Sequence, residues 1–154
     1  MKTISEIVAF IVPRAMELNH AHIKEEVGPI NYSAIFCRDD HEYEKLLSEA
    51  QVLGIIADNT PTGPLFRLNA PIQTIAGPLH LVKIRKADPT RLERGDADFT
   101  MKNYDDFKER YLNDVHFKCI DKGHFEMMEL RDPKFSVLSY FSNIPLTIQL
   151  GIEK

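Results

Sequence analysis

The sequence has no tryptophan, two cysteines and no surplus of basic residues. Each shortage removes a class of protein. Cys37 and Cys119 cannot make a disulfide framework, and their spacing is not that of a metal-binding pair. Nineteen Lys and Arg against 23 Asp and Glu give a net charge of -4. A general nucleic-acid binder neutralises phosphates with a basic excess, so no nucleic-acid partner is expected. No apolar run approaches the roughly 20 residues that cross a bilayer, and polar residues interrupt the short apolar runs near the N-terminus. Gly28, Gly54, Gly63, Gly77, Gly95 and Gly123 fall near breaks and none sits in a phosphate-binding loop pattern. These absences predict a reduced, cytoplasmic protein with no membrane partner, and no cofactor is expected.

The chain has 154 residues, 44% hydrophobic and 27% charged, which suits one domain, 1–154. Residues 3–26 read as a helix. Ile4, Ile7, Val8, Ile11, Val12, Ala15, Leu18 and Ile23 recur at helical spacing, with Thr3 or Ser5 as cap and a kink or break at Pro13. Strands are predicted over 30–38, 52–58, 65–68 and 79–86, with a helix over 39–50 capped by Asp39 or Asp40. A charged linker, 88–95, separates this first unit (30–88) from a second (96–133). The second carries a strand over 96–101, a helix over 103–112 and strands over 115–121 and 124–131. The tail, 134–154, reads as a short helix (135–141) and a strand (146–150), suited to covering a sheet edge or forming an oligomer.

Residues 80–89 and 124–133 lie alongside each other without a gap, both beginning with His and ending with Asp-Pro. The doubled βαβββ order resembles the vicinal oxygen chelate superfamily of glyoxalases, extradiol dioxygenases and bleomycin-resistance proteins. The leading helix and the Asp-Pro ends look closest to its YecM-like branch. The resemblance implies an α+β fold of paired βαβββ modules forming a curved mixed sheet around a shared cavity, with an added N-terminal helix. It also implies metal ligands on the first and fourth strand of each unit. Those positions fall at Asn31 or Ser33, near Lys83, at Asp96 or Asp98, and at Met127 or Glu129. Lys83 would repel a cation there, so metal chemistry is not expected unless Asp96, Asp98 and Glu129 form a rearranged oxygen site.

Strand alternation places Lys83 and Arg85 on one face, and Asp96 and Asp98 in one polar row. With Asn31, Ser33 and Glu129 they form a candidate site. Asn31, Ser33, Lys83, Arg85 and Asp96 would bind a small anionic metabolite, and Asp98 and Glu129 would exchange protons with it. The plainer alternative is a solvated face with Lys83–Asp98 and Arg85–Glu129 ion pairs. Among the histidines, His20 and His22 do not share a helical face, and His116 has no partner in sequence. Three functions follow: a metabolite-binding protein with metal-independent acid-base chemistry; a structural or regulatory protein that forms a homodimer or partner interface; or a divalent-metal-dependent lyase, isomerase or dioxygenase. For the interface, the tail offers Phe135, Tyr140, Phe141 and Ile144.

Overall fold

A computed structural model of the chain describes residues 1–152. Helix α1, Ile4–His22, opens with a reciprocal cap: the Thr3 hydroxyl accepts from the Glu6 N–H, and the Glu6 carboxylate accepts from the Thr3 N–H. Pro13 sits within this helix without dividing it. The buried stripe from Ile4 to Leu18 anchors the turns on either side, so tertiary packing outweighs the lost hydrogen bond.

Strand β1 (Ile30–Phe36), helix α2 (Asp40–Leu53) and strands β2 (Gly54–Thr60), β3 (Gly63–Thr74) and β4 (Gly77–Arg85) form the first βαβββ run. The second consists of β5 (Gly95–Phe99), α3 (Tyr104–Tyr111), β6 (Phe117–Asp121), β7 (Glu126–Leu130) and β8 (Val137–Asn143), followed by α4 (Leu146–Gln149). The tail therefore has its two elements exchanged: β8 replaces the helix read at 135–141, and α4 the strand read at 146–150.

All eight strands share one mixed sheet in the order β2-β3-β4-β1-β5-β8-β7-β6. β1 pairs parallel with β4 and β5 parallel with β8, while β1 and β5 meet antiparallel at the centre. The order on one side of this seam mirrors the other, so β4 corresponds to β8. The ungapped comparison of 80–89 with 124–133 instead matched β4 to β7.

The expected paired modules forming a curved mixed sheet are corrected by this topology. The sheet is open, neither closed nor strongly curled: β2 and β6 are its two outer strands, and no ladder joins them. Ile55 and Ile56 on β2 remain exposed at that edge. On the face away from the helices Tyr32, Phe36, Leu81, Met127, Leu138 and Tyr140 pack into a cluster that Leu146, Leu150 and Ile152 of the tail adjoin.

The larger core lies on the opposite face. There α1 rests on β8, β5 and β1, and α2 on β2, β3 and β4. Phe107 from α3 enters this core among the rings of Tyr104, Tyr111, Phe117 and Phe141. Glu42 and Arg94 form a buried two-pronged ion pair with contacts of 2.9 and 2.8 Å. Arg94 also donates to the Phe36 carbonyl, and its backbone N–H to the Ser136 carbonyl, which stitches the two runs together.

Candidate functional site

The sheet register tests the polar row directly. Tyr32 pairs with Asp98 and Ala34 with both Asp96 and Lys83, while Phe36 pairs with Arg85. Tyr140 stands opposite Asp98 on one side and Glu129 on the other. Directly paired residues project to the same side of a sheet. Lys83, Arg85, Asp96, Asp98 and Glu129 therefore share the face away from α1 and α2. Ser33 pairs with Val82 and Ala97 on the other face, and its hydroxyl donates to the Asp96 carbonyl at 2.7 Å. Asn31 lies at a register shift between Ile30 and Tyr32, and its amide reaches Asp98.

The expected ion pairs are absent among the described residues: none within 4.0 Å joins Lys83 to Asp98 or Arg85 to Glu129. Asp98 instead accepts from Asn31 Nδ2 at 3.0 Å and Ser142 Oγ at 2.5 Å. Glu129 accepts from the Tyr140 hydroxyl at 2.7 Å, and the Arg85 guanidinium lies 4.8 Å from the Phe36 ring centre. Burial pushes the Asp98 carboxyl up to about 6 against the pull of those two donors. Asp96 is pushed up to about 7, first by burial and then by the charge of Asp98, with Lys83 opposing. Burial also lowers Lys83, against the pull of Asp96. The result is a desolvated acidic pair roofed by apolar residues. Its donor set does not suit a divalent ion, because an ammonium stands on β4 and a phenol on β8.

A different cluster has the right donors. His22, the last residue of α1, places Nε2 2.9 Å from Asp132 Oδ2. The rings of His22 and His116 lie 4.3 Å apart, tilted by 45°. One ligand atom from each of His22, His116 and Asp132 falls within 4.8 Å of the other two.

The open end of the β6–β7 hairpin carries two of these three residues, His116 and Asp132. Beyond the Phe117–Leu130 pair, the Arg131 N–H donates to the His116 carbonyl at 2.9 Å, which holds His116 beside the strand exit that leads to Asp132. The Lys134 N–H donates to Asp132 Oδ1 at 3.0 Å. That bond and the one from His22 hold the carboxyl below the usual carboxylate range. His116 Nδ1 lies 3.4 Å from Asp114 Oδ1. Two imidazoles and a carboxylate suit zinc or another borderline first-row ion and leave coordination positions open. Ligand atoms about 3.3 Å apart satisfy a tetrahedral ion at about 2.0 Å, so small side-chain rotations would close the cluster.

Sequence reasoning missed this cluster because His22 and Asp132 are 110 residues apart. Only the hairpin register and the docking of α1 bring the three residues together. No helix is long and apolar enough to cross a membrane among the described residues.

No family model matches the chain. No curated protein matches it either. Among solved structures, the chain is similar to one described as "Structural Genomics, Protein EC4020", with a TM-score of 0.68 and 10% identity over 97% of this chain and 92% of that one. It is also similar, with a TM-score of 0.45 and 11% identity over 76% of this chain and 97% of that one, to a glyoxalase/bleomycin resistance protein/dioxygenase superfamily member from Vibrio splendidus 12B01. At 10% identity the likeness to the first of these is one of fold alone.

Proposed function

We propose that this chain is a divalent-metal protein whose ligands are His22, His116 and Asp132. The observation that carries this reading is the convergence of three ligand atoms within 4.8 Å from three separate segments. An imidazole offers an Nε2 or Nδ1 lone pair, and the bonds from the Lys134 N–H and His22 hold the Asp132 carboxyl below the usual carboxylate range. Asp114, beside His116, is placed to orient that ring from behind. A bound ion with open positions would supply Lewis-acid chemistry of the kind a lyase or an isomerase uses. The doubled βαβββ order and the leading α1 support placing the chain beside the YecM-like branch of the vicinal oxygen chelate superfamily.

The test is calorimetric titration of the full chain with Zn²⁺ and Mn²⁺, alongside thermal unfolding. One ion should bind per chain, and a concentration a hundred times Kd should stabilise it by about 2.7 kcal/mol. His116→Ala and His22→Ala should each weaken binding at least tenfold. Equal affinity and stoichiometry in wild type and both variants would overturn the assignment, as would no binding to wild type.

A second reading rests on the buried Asp96–Asp98 pair beside Lys83. Here Lys83 and Arg85 hold a small carboxylate, and Asp98 and Glu129 exchange protons with it. The shared face and the raised Asp96 and Asp98 carboxyls support it. An interface role receives less support from the tail, because Tyr140 and Phe141 are spent on the chain's own cores.

A further inference from the structure

The sheet face away from α1 and α2 carries its charges in two separate files. Lys83 on β4 and Asp96 on β5 both pair with Ala34, so one cross-strand row reads Lys83, Ala34, Asp96. Neighbouring strands lie about 4.8 Å apart, which sets β4 and β5 about 9.6 Å apart with only the Ala34 methyl between the two charged side chains. Arg85 follows Lys83 on the same face of β4, beside Phe36. The cations therefore stand on β4, and the carboxyls of Asp96 and Asp98 on β5.

These charges do not satisfy one another. Among the described residues no carboxylate lies within 4.0 Å of the Lys83 ammonium or the Arg85 guanidinium. Asp98 is sealed, with its two oxygens hydrogen-bonded by Asn31 and Ser142. Asp96 is only 5% exposed, and its Oδ1 accepts from the Ala34 N–H while Oδ2 has no hydrogen-bond partner. Oδ2 still opens to solvent, because among the described residues Asn19 Nδ2 is the one unpartnered side-chain nitrogen or oxygen that is sealed away. A largely desolvated carboxyl oxygen with an opening and no donor is an acceptor that a ligand's N–H would satisfy.

The separation of charge fixes the ligand class. A plain anion would meet the cations of β4 but be repelled by Asp96, and a plain cation would meet the reverse. A molecule with one charge of each sign a few bonds apart suits both files. We infer that this face binds a small amino acid as its zwitterion, with the carboxylate accepting from Lys83 and Arg85 and the ammonium donating to Asp96 Oδ2. The inference rests on the carboxylate reading for the Lys83 and Arg85 half of the ligand, and it moves the partnering carboxyl from Asp98 to Asp96. The titratable groups facing Asp96 are Asp98 on its own strand, Lys83 and Arg85 on β4, Tyr32 on β1 and Tyr140 on β8. Glu129 on β7 is tied to the Tyr140 hydroxyl, and Lys122 and Asp58 act on Lys83 from beyond it. With its carboxyl at about 7, Asp96 is mostly neutral at pH 6 and mostly ionised at pH 8.

The experiment titrates the full chain by calorimetry with β-alanine, which carries both ends, and with propionate and ethylamine, which each lack one. At pH 8 β-alanine should bind at least tenfold more tightly than either single-ended probe. Asp96→Asn should abolish most of that preference, and Lys83→Met should weaken both β-alanine and propionate. From pH 6 to pH 8 the wild-type affinity for β-alanine should rise, because ionised Asp96 attracts an ammonium, while that for propionate should fall. Propionate bound as tightly as β-alanine at pH 8, and weakened by Lys83→Met, would overturn the zwitterion and leave the carboxylate reading standing. No binding of either at millimolar concentration, or propionate affinity unchanged in Lys83→Met, would overturn both. A preference for β-alanine that survives in Asp96→Asn would overturn the role of Asp96. If that variant does not fold, the wild-type pH series decides: opposite slopes support the inference and parallel slopes overturn it.

Discussion

Replacing Asp96 with asparagine should make the protein more stable at pH 8 and leave its stability nearly unchanged at pH 4. Asp96 is buried on the central strand β5, and its carboxyl rises from an ordinary 3.8 to about 7. A group raised in the folded state contributes its full stability below its unfolded value and loses it as pH climbs through the folded one. The ionised form therefore costs on the order of 4 kcal/mol by pH 8. Lys83, whose positive charge Asp96 supports, loses that partner in the variant and reduces the gain to about 2–4 kcal/mol. Asparagine keeps an oxygen for the Ala34 N–H, which now donates to Asp96 Oδ1 at 3.2 Å, and removes the repulsion from Asp98. In a chain of this size the gain corresponds to a rise in Tm of about 5–15 °C at pH 8. Urea unfolding of both proteins at pH 4, 5.5, 7 and 8 would measure the difference as a function of pH. A variant less stable than wild type at pH 8, or an offset constant across the series, would refute the reasoning.

Glu42→Gln should cost about 3–5 kcal/mol in urea unfolding, because it leaves the buried Arg94 guanidinium without its countercharge. The double variant Glu42→Leu with Arg94→Met should lose less than the two single changes together. Phe107→Ala should cost about 3–5 kcal/mol by the same measurement, since the ring fills a site walled by Tyr111, Phe117 and Phe141. Gly63→Ala should destabilise the β2–β3 hairpin, because its φ is +149° and a Cβ would lie 2.0 Å from the Ile84 carbonyl oxygen; a lowered Tm checks this. If the Lys83–Asp96 face binds anions, Lys83→Met should weaken calorimetric binding of malonate at least tenfold, and unchanged affinity would exclude that role.

The sequence pattern carried information where one face of an element differs from the other. The stripe from Ile4 to Leu18 reads as α1, and of the two cap candidates for α2, Asp39 and Asp40, it is Asp39 that accepts from the Glu42 N–H. The alternation at Lys83 and Arg85 and at Asp96 and Asp98 gives their common face. β8 has no such contrast: six consecutive residues from Val137 to Ser142 are buried, so no period separates strand from helix there. α4 is four residues long, too short to establish a stripe. The hydrogen-bond donors to Asp98 were also hidden, because Asn31 and Ser142 reach it across the sheet rather than along the chain. The histidine cluster has no local spacing at all and follows from tertiary docking alone.

The antiparallel seam between β1 and β5 joins two halves that each end in an unpaired edge when taken separately. Separate polypeptides with those edges would find each other only above a threshold concentration. Here a short linker fixes the local concentration, so the junction forms at the same occupancy in dilute and crowded solution. Cutting that linker would turn a concentration-independent fold into a dimerisation equilibrium.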